Sequence, residues 1–304
     1  MVSLRRMMVW LAVLGAAAVG PLAAQQIAFT WDDLPAHSAL PPGETRVDIG
    51  RKLIAAMKDA GMRPVYGFVN GVAIEREPAS APMLKEWRDA GLLLGNHTWS
   101  HPNLNTMSAA DWEADVLKNE PVLKQYAAGA DWHWLRYPFL AEGDTAEKRA
   151  EVRKFLAEHG YKIAAVTMSF GDYMFNEPYA RCVAKNDAAA IARLEDAYLD
   201  AARTDIDYTR AMAKAALGHE IPYVLLMHVG ALDAKLLPRL IALYKEKGFT
   251  FVTLQDAEKD PFYLASMNPA LPAEPDSLEG AMQAKGLPLP KRAALTVDVN
   301  SICR

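Results

Sequence analysis

The sequence lacks the features that mark several classes of protein. Its 304 residues contain only two cysteines, no run of lysine and arginine longer than two, and no internal repeat. With 33 basic against 37 acidic residues the formal net charge is −4, so no nucleic-acid partner is expected. Hydrophobic residues make up 51% and charged residues 23% of the chain, a globular composition that excludes a disordered or fibrous protein.

The apolar run near the N-terminus is too short to span a bilayer. Residues 7–19 provide about 13 apolar positions, against the roughly 20 that a membrane-spanning helix needs. Arg5 and Arg6 precede this run and small residues follow it up to Ala24, the layout of a secretory signal peptide. We predict that residues 1–24 are a signal peptide, that the protein is exported to the periplasm or secreted, and that no stable membrane insertion follows cleavage. An uncleaved membrane anchor is the alternative.

Neither cysteine has the spacing of a metal site, since Cys182 and Cys303 lie far apart in the sequence. An exported chain meets an oxidising compartment, where an even number of cysteines permits a disulfide. The bond would tie the C-terminal tail to the region after residue 175. Two buried thiols are the alternative, because a disulfide requires Cα atoms within about 7 Å of each other.

Strand-like and helical segments alternate regularly after the signal. Strands are predicted at residues 26–31, 65–69, 92–94, 133–136, 163–168, 223–227 and 249–254. Helices are predicted at residues 46–60, 81–90, 109–126, 146–159 and 235–247, with a break at Pro121. This alternation implies right-handed βαβ units and an α/β fold, with seven or eight parallel strands in a closed or nearly closed barrel.

Two segments depart from the alternation. Residues 186–217 are rich in alanine and predict two helices that meet near Thr204 and Asp205. We expect this helical insertion to lie beside or over one mouth of the barrel and to limit access to it. Residues 268–304 are rich in proline and predict an extended C-terminal tail. The barrel domain is therefore expected at residues 25–267, including the insertion.

Four clusters of reactive side chains each follow a predicted strand. Because active sites of βα barrels form at the C-terminal ends of the strands, we expect these clusters to meet there. They are Thr30-Trp31-Asp32-Asp33, Asn96-His97-Thr98-Trp99-Ser100-His101, Leu135-Arg136-Tyr137-Pro138-Phe139 and Leu225-Leu226-Met227-His228. Taken singly, each has a structural explanation as a solvated turn, an ion pair or a core histidine. Taken together, they favour a catalytic site.

The two histidines of the second cluster have the spacing of metal ligands. In a helical turn, His97 and His101 would converge on one metal. One carboxylate and two imidazoles supply three protein ligands and leave a fourth position for water, as in catalytic zinc sites. A second carboxylate and a third histidine then remain as base and acid.

The clusters resemble the motifs of the polysaccharide deacetylases, carbohydrate esterase family 4, which share the chitooligosaccharide deacetylase homology domain. The resemblance covers residues 27–254. The first cluster matches T-F-D-D with Trp31 in place of Phe, and the second matches H-[ST]-x-x-H. The third matches R-x-P-[YF], and the fourth resembles L-x-H.

This resemblance implies a distorted (β/α) barrel of about seven parallel strands that holds one divalent metal ion. Zinc is expected, with cobalt, nickel or manganese as alternatives, and the implied ligands are Asp33, His97 and His101. The resemblance also implies Asp32 as general base and His228 as general acid.

Two further residues have roles that the same motifs suggest. By resemblance, the backbone N–H of Tyr137 stabilises the oxyanion. Arg136 is expected to hold Asp32 ionised and oriented, because a nearby cation lowers the pKa of a carboxylate.

The sequence departs from the family at two places. Leu34 stands where the first motif usually continues with glycine, and His37 follows in the same loop, either as a substrate contact or as a plain loop histidine. A further motif of the family normally pairs an aspartate with a tryptophan that lines the sugar groove, whereas Asp172 has no such neighbour. We expect Asp172 to orient His228 and either Tyr173 or Phe175 to replace the aromatic wall.

These observations predict a metal-dependent hydrolase of C–N amide bonds. Its expected reaction is N-deacetylation of an amino-sugar poly- or oligosaccharide through a metal-activated water. The missing tryptophan and the insertion favour an alternative, a hydrolase of a small non-carbohydrate amide, imide or ester. A glycan-binding module with decayed catalysis is a third hypothesis, and the complete set of ligands, base and acid disfavours it.

Overall fold

Seven parallel strands form one sheet in the computed structural model, which describes residues 25–275 and 277–304. They are β1 (Gln25–Leu34), β2 (Tyr66–Val69), β3 (Leu93–Asn96), β4 (Trp134–Leu135), β5 (Lys162–Ile163), β6 (Tyr223–His228) and β7 (Phe249–Phe251). Every predicted strand is present, although β4, β5 and β7 are shorter than predicted. The predicted signal peptide, residues 1–24, lies outside the described residues.

Strand β1 is the centre of the sheet. One of its edges pairs with β6 over six residue pairs, from Ile27 opposite Tyr223 to Asp32 opposite His228. The other edge pairs with β7 near its start and with β2 near its end. Residues 27–31 are buried on both faces, which explains why four of these five residues are apolar and the strand does not alternate apolar with polar residues.

The sheet curls until it nearly closes. From β1 it continues in the order β2, β3, β4 and β5. The segment after β5 then returns to β6, where Met168 forms an isolated parallel bridge with Leu225. The α/β class and the distorted barrel are therefore confirmed.

Eleven α-helices surround the sheet in the part of the chain that the structure describes. They are α1 (Arg46–Asp59), α2 (Gly71–Arg76), α3 (Pro82–Asp89), α4 (Ala109–Tyr126), α5 (Ala146–Glu158), α6 (Asn176–Ala184), α7 (Ala188–Leu217), α8 (Ala231–Glu246), α9 (Leu254–Ala257), α10 (Leu264–Met267) and α11 (Leu278–Ala284). Helix α1 shows how the sequence sets a boundary, since Thr45 and Asp48 form a reciprocal capping box at its start. None of these helices is both long and apolar enough to cross a membrane.

The predicted helix breaks at Pro121 and near Thr204 are wrong. Helix α4 continues through Pro121 because residues on both sides of it, Trp112 and Leu123, are fully buried. Helix α7 is a single helix of 30 residues. Thr204 donates its hydroxyl to a carbonyl of the same helix and Asp205 pairs with Arg292, so neither side chain competes for the backbone N–H groups of α7.

The C-terminal tail is only partly extended. Contrary to the prediction, it contains helix α11, which packs against α7. A disulfide joins Cys182 on α6 to Cys303, with Cα atoms 5.1 Å apart. Of the two alternatives that the sequence left open, the structure has the disulfide. Arg181 adds hydrogen bonds to the carbonyls of Val299 and Ile302, so the last residues are fastened to α6.

Candidate metal and catalytic site

The predicted metal ligands meet at the C-terminal ends of the strands. Asp33 lies near the end of β1, where the pairing with β2 is irregular and the backbone has a φ of 65°. His97 directly follows β3, and His101 lies in the next loop. One ligand atom from each of the three side chains lies within 4.8 Å of the others. In particular, Asp33 Oδ1 is 3.6 Å from the Nε2 atom of each histidine.

The two histidines do not lie on a helical turn as predicted. Thr98 and His101 both have left-handed backbones, with φ of 64° and 59°, so the segment is a loop that folds back on itself. Asn70 holds this loop through its side-chain amide, which donates to the carbonyls of His97 at 2.6 Å and Thr98 at 3.1 Å. No motif pointed to Asn70, because its partners are distant backbone atoms.

The donor set fits a divalent metal. His97 is buried, and its Nδ1 lies 2.8 Å from the carbonyl of Arg136, which fixes the ring so that Nε2 faces Asp33. Burial lowers the pKa of His97 to about 3, so the ring is neutral, as a metal ligand must be. Two ligands bonded at about 2.1 Å to a tetrahedral ion lie roughly 3.4 Å apart, close to the separations observed here.

Asp32 lies beside this set and faces a buried arginine. Its carboxylate is 3.3 Å from Nη1 of Arg136 and 3.6 Å from Nε2 of His97. Burial raises the pKa of Asp32 to about 6, although Arg136 and His228 act to lower it. The arginine therefore favours the ionised carboxylate as expected, but the effect of burial is larger.

Arg136 is fixed by hydrogen bonds on every side of its guanidinium. Nε donates to the carbonyl of Ala164 at 2.8 Å, and Nη2 donates to the hydroxyl of Thr30 at 3.0 Å. The side chain is fully buried, and its guanidinium carbon lies 4.9 Å from the ring centre of Phe68. Because the guanidinium is held in place and shielded from solvent, it can orient the carboxylate of Asp32.

His228 and Asp172 form a pair on the opposite side of the site. Asp172 Oδ1 lies 3.0 Å from Nδ1 of His228, and Oδ2 accepts the backbone N–H of the same residue at 2.6 Å. Burial opposes a charge on the imidazole, yet the carboxylate of Asp172 raises the pKa of His228 to about 10. The structure thus brings Asp172 to His228, the residue that it was expected to orient.

Tyr173 and Phe175, the two candidates for the aromatic wall of the site, differ in their exposure. Phe175 is fully buried in the core, whereas Tyr173 is 50% exposed and its ring centre lies 5.3 Å from that of His228. On the other side, exposed Phe139 packs edge-on against His101, with ring centres 4.5 Å apart. Tyr137 has a buried ring stacked on Trp112.

His37 also belongs to the site. Its ring centre is 5.3 Å from that of His228, and its Nε2 accepts a hydrogen bond of 3.0 Å from the amide of Asn176. The other amide hydrogen of Asn176 bonds to Asp233, and its oxygen accepts the N–H of Leu232, so the amide has one orientation. Burial lowers the pKa of His37 to about 4, which leaves this ring neutral. Sequence spacing gave no sign of Asn176.

These side chains open into one cavity of about 490 Å³, which we call the catalytic cavity. It is lined by Asp32, Asp33, His37, His97, His101, Tyr137, Phe139, Leu140, Ser169, Tyr173, Leu226 and His228. Of the predicted site residues, Arg136 and Asp172 lie behind this surface, where they contact Asp32 and His228 respectively.

Comparison with known proteins agrees with the motifs. The sequence model of the family described as polysaccharide deacetylase matches residues 20–164. A peptidoglycan-N-acetylglucosamine deacetylase from Bacillus cereus is 27% identical over 120 residues, which cover 40% of this chain and 38% of that protein. A chitin deacetylase from Colletotrichum lindemuthianum is 29% identical over 134 residues, 42% of this chain and 49% of that protein. The matched region spans less than half the length of either relative.

Solved structures share the fold. The structure of the chitin deacetylase from Colletotrichum lindemuthianum superposes with a TM-score of 0.54 at 22% identity, covering 78% of this chain and 88% of that chain. A carbohydrate esterase family 4 pseudoenzyme from Bacillus anthracis gives 0.53 at 16% identity, covering 77% and 65%. At these identities the likeness shows the barrel and not an activity. The family model, which matches slightly less than half of this chain, and the metal-ligand motif make the chain similar to the polysaccharide deacetylase family, and the shared barrel is consistent with that likeness.

Proposed function

We propose that this chain is an exported, metal-dependent amide hydrolase that removes an N-acetyl group from an amino-sugar substrate. The observation that carries the proposal is the set of side chains that line the catalytic cavity. A carboxylate and two imidazoles with metal-ligand geometry, a second carboxylate and a third imidazole all line it. When bound, a divalent ion would polarise the amide carbonyl and acidify water at this position.

Asp32 is the general base of the proposed reaction. Its carboxylate accepts a proton from the attacking water while Arg136 holds it in place at 3.3 Å. A base is most effective when its pKa lies near the working pH, and burial raises the pKa of Asp32 to about 6. Arg136 is a positioning residue, because its guanidinium lies behind the cavity surface.

His228 is the general acid. Its Nδ1 is held by Asp172, so Nε2 is the nitrogen available to donate a proton to the leaving amine. Although burial opposes the charge, Asp172 raises the pKa of His228 to about 10, which keeps the ring protonated near neutral pH. This step matters because an unprotonated amine is a poor leaving group. The backbone N–H of Tyr137 is proposed to stabilise the oxyanion.

The names of the relatives support an acetamido sugar as the substrate. One is a peptidoglycan-N-acetylglucosamine deacetylase and the other a chitin deacetylase. Tyr173 and Phe139 flank the cavity with exposed rings that suit the apolar face of a sugar. A small non-carbohydrate amide, imide or ester is the second candidate, favoured by α7 and the tail, which enclose the region next to the site.

Catalytic decay is not favoured by the residues of this site. The fold is shared with a pseudoenzyme, so the barrel alone does not establish activity. Here the three candidate ligands, Asp32 and His228 all line one cavity, which supports an active enzyme. Export is supported by the predicted signal peptide and by the disulfide between Cys182 and Cys303, since such bonds persist in oxidising compartments.

The test is acetate release by zinc-loaded protein. The substrates are N-acetylglucosamine oligomers of one to six sugars and a panel of small amides, imides and esters, with Asp32→Asn as the inactive control. Release from the oligomers by the wild type alone supports the proposal. Release only from the small panel would establish the second candidate instead, and no release from either set would refute both.

A further inference from the structure

A smaller cavity adjoins the catalytic cavity at the metal ligands. Its volume is about 290 Å³, at the lower end of the range for ligand sites. Three residues line both cavities: Asp33, His37 and His101. Because the two spaces share these walls, a group attached to a substrate in the catalytic cavity can extend into the smaller one.

The opposite wall of the smaller cavity comes from two helices outside the four sequence clusters. Helix α1 contributes Arg46, its first residue, and α2 contributes Val72, Ala73 and Arg76, with Glu77 directly after it. Arg76 is exposed and the other four residues are half-buried. A ligand in this space can therefore reach the side chains of its wall. We call the space the arginine cavity.

The two charged residues nearest the start of α1 compensate each other. Nε of Arg46 donates to Oε2 of Glu77 at 2.8 Å, and Nη1 donates to the carbonyl of Ala36 at 2.5 Å. The negative charge of Glu77 is thus matched by the positive charge of Arg46. These bonds also fasten the loop after β1, which carries His37, to the wall of the arginine cavity.

Arg76 supplies a positive charge that this pair leaves unmatched. Its side chain forms no hydrogen bond or ion pair with any residue that the structure describes. His37 adds no charge, because burial lowers the pKa of its ring to about 4. At the other end of the cavity, a divalent ion bound at Asp33 would exceed the single charge of that carboxylate. The arginine cavity therefore favours an anion.

We propose that the arginine cavity is a subsite for a carboxylate of the substrate, which the guanidinium of Arg76 binds. The inference rests on the proposed function and narrows it to an anionic glycan. A guanidinium presents two parallel N–H donors that match the two oxygens of a carboxylate. One unmatched positive charge suits a singly charged carboxylate better than a doubly charged phosphate. A uronic acid beside the acetylated sugar and an acid-bearing ether on that sugar both supply this group.

The first test measures selectivity between charged and neutral glycans. Acetate release by zinc-loaded wild type and Arg76→Gln is measured on tetra-N-acetylchitotetraose, a hyaluronan tetrasaccharide and N-acetylglucosaminyl-N-acetylmuramic acid. The first is neutral, the second carries uronic carboxylates and the third an ether carboxylate. In Arg76→Gln, kcat/KM for at least one carboxylate substrate should fall about fivefold relative to the neutral one, the upper scale of a solvent-exposed ion pair, mainly through KM.

The carboxylate substrate that responds identifies the source of the group. An unchanged ratio on both would overturn the subsite, as would a wild type that accepts the neutral substrate and neither charged one. Raising the salt concentration should weaken wild-type turnover of the responding substrate more than that of the neutral one, because salt screens exposed charges. That difference should shrink in Arg76→Gln.

Matched variants separate the cavity from effects on the fold. Arg76 lies in the last turn of α2, where a cation also interacts favourably with the helix dipole. Arg76→Lys keeps the charge without the paired donors and should lose less selectivity than Arg76→Gln. Arg193 is an exposed arginine of α7 outside the lining of both cavities, and Arg193→Gln should behave as wild type. Equal losses on neutral and charged substrates in Arg76→Gln would assign Arg76 a structural role and contradict the proposal.

Binding distinguishes a failure of this inference from a failure of the proposed function. Calorimetric titration of the zinc-loaded proteins with the two carboxylate glycans should show weaker binding of at least one to Arg76→Gln than to wild type. Equal affinities for both glycans would refute the subsite, even for a wild type that releases acetate from the neutral substrate. A wild type that binds a carboxylate glycan through Arg76 and releases acetate from no substrate would instead refute the proposed function.

Discussion

Asp172 contacts His228 twice, through Nδ1 at 3.0 Å and through the backbone N–H at 2.6 Å. The double contact fixes both the position of the strand end and the rotation of the ring. It leaves Nε2 as the nitrogen that faces the cavity. The negative charge of Asp172 raises the pKa of His228 and so raises the pH at which the ring loses its proton.

Replacing Asp172 by Asn should move the alkaline limb of the pH profile of kcat/KM to lower pH. Asp172 raises the pKa of His228, so its loss allows that pKa to fall towards the ordinary value of 6.5. The acid form of His228 is then lost at lower pH. The shift is the measurement, because each limb is a property of coupled groups. A limb that stays in place, with metal content unchanged, would show that Asp172 does not tune His228.

His101→Ala should lose most bound metal and almost all activity. With three protein ligands, loss of one leaves a two-residue site. His101 is the most exposed of the three, so its removal should disturb the fold least. Elemental analysis of the purified variant provides the measurement, and His133→Ala, which alters a histidine paired with Asp131 outside the cavity, is the control. Full occupancy in a folded His101→Ala protein would exclude the assigned ligands.

Asp32→Asn should retain the metal and lose activity. A positioned general base contributes about 10²-fold or more to kcat, and Asn cannot accept the proton. Because Arg136 would remain buried beside a neutral group, thermal unfolding must show that the variant is folded. A folded, metal-loaded variant with normal kcat would assign the base to another residue.

Removing the disulfide should lower stability without removing the metal. The two cysteines are 121 residues apart, and a native disulfide typically contributes about 2–4 kcal/mol. We expect Cys182→Ser with Cys303→Ser to unfold at lower denaturant concentration while binding zinc as before. Reductant should have the same effect on wild type and none on the double variant. Unchanged unfolding would mean that the tail adds no stability.

The three candidate metal ligands could be predicted from the sequence, because metal chemistry limits the residue types and the fold limits where they occur. Asp33, His97 and His101 come at strand ends, and parallel strands end at one edge of the sheet. Their backbone geometry was not predictable, since the left-handed backbones of Thr98 and His101 depend on the surrounding loops.

The supporting residues carried no local signal. Asn70 and Asn176 act through partners far away in the sequence, and single asparagines have no characteristic spacing. The sequence predicted two helices that meet near Thr204, because threonine and aspartate favour turns, whereas the structure has the single helix α7. Its burial against the rest of the fold keeps it continuous, with Tyr198 and Ile206 completely buried.

The pairing of β1 with β6 places Asp32 directly opposite His228. Adjacent strands lie about 4.8 Å apart, so backbone hydrogen bonds set the spacing of the two residues proposed to move protons. Inserting or deleting one residue within either strand would slip the register and turn one of these side chains to the other face of the sheet. Changes of length in the loops, α7 or the C-terminal tail leave that register intact. Substrate preference can therefore change through insertions while the proton-transfer geometry is inherited unaltered.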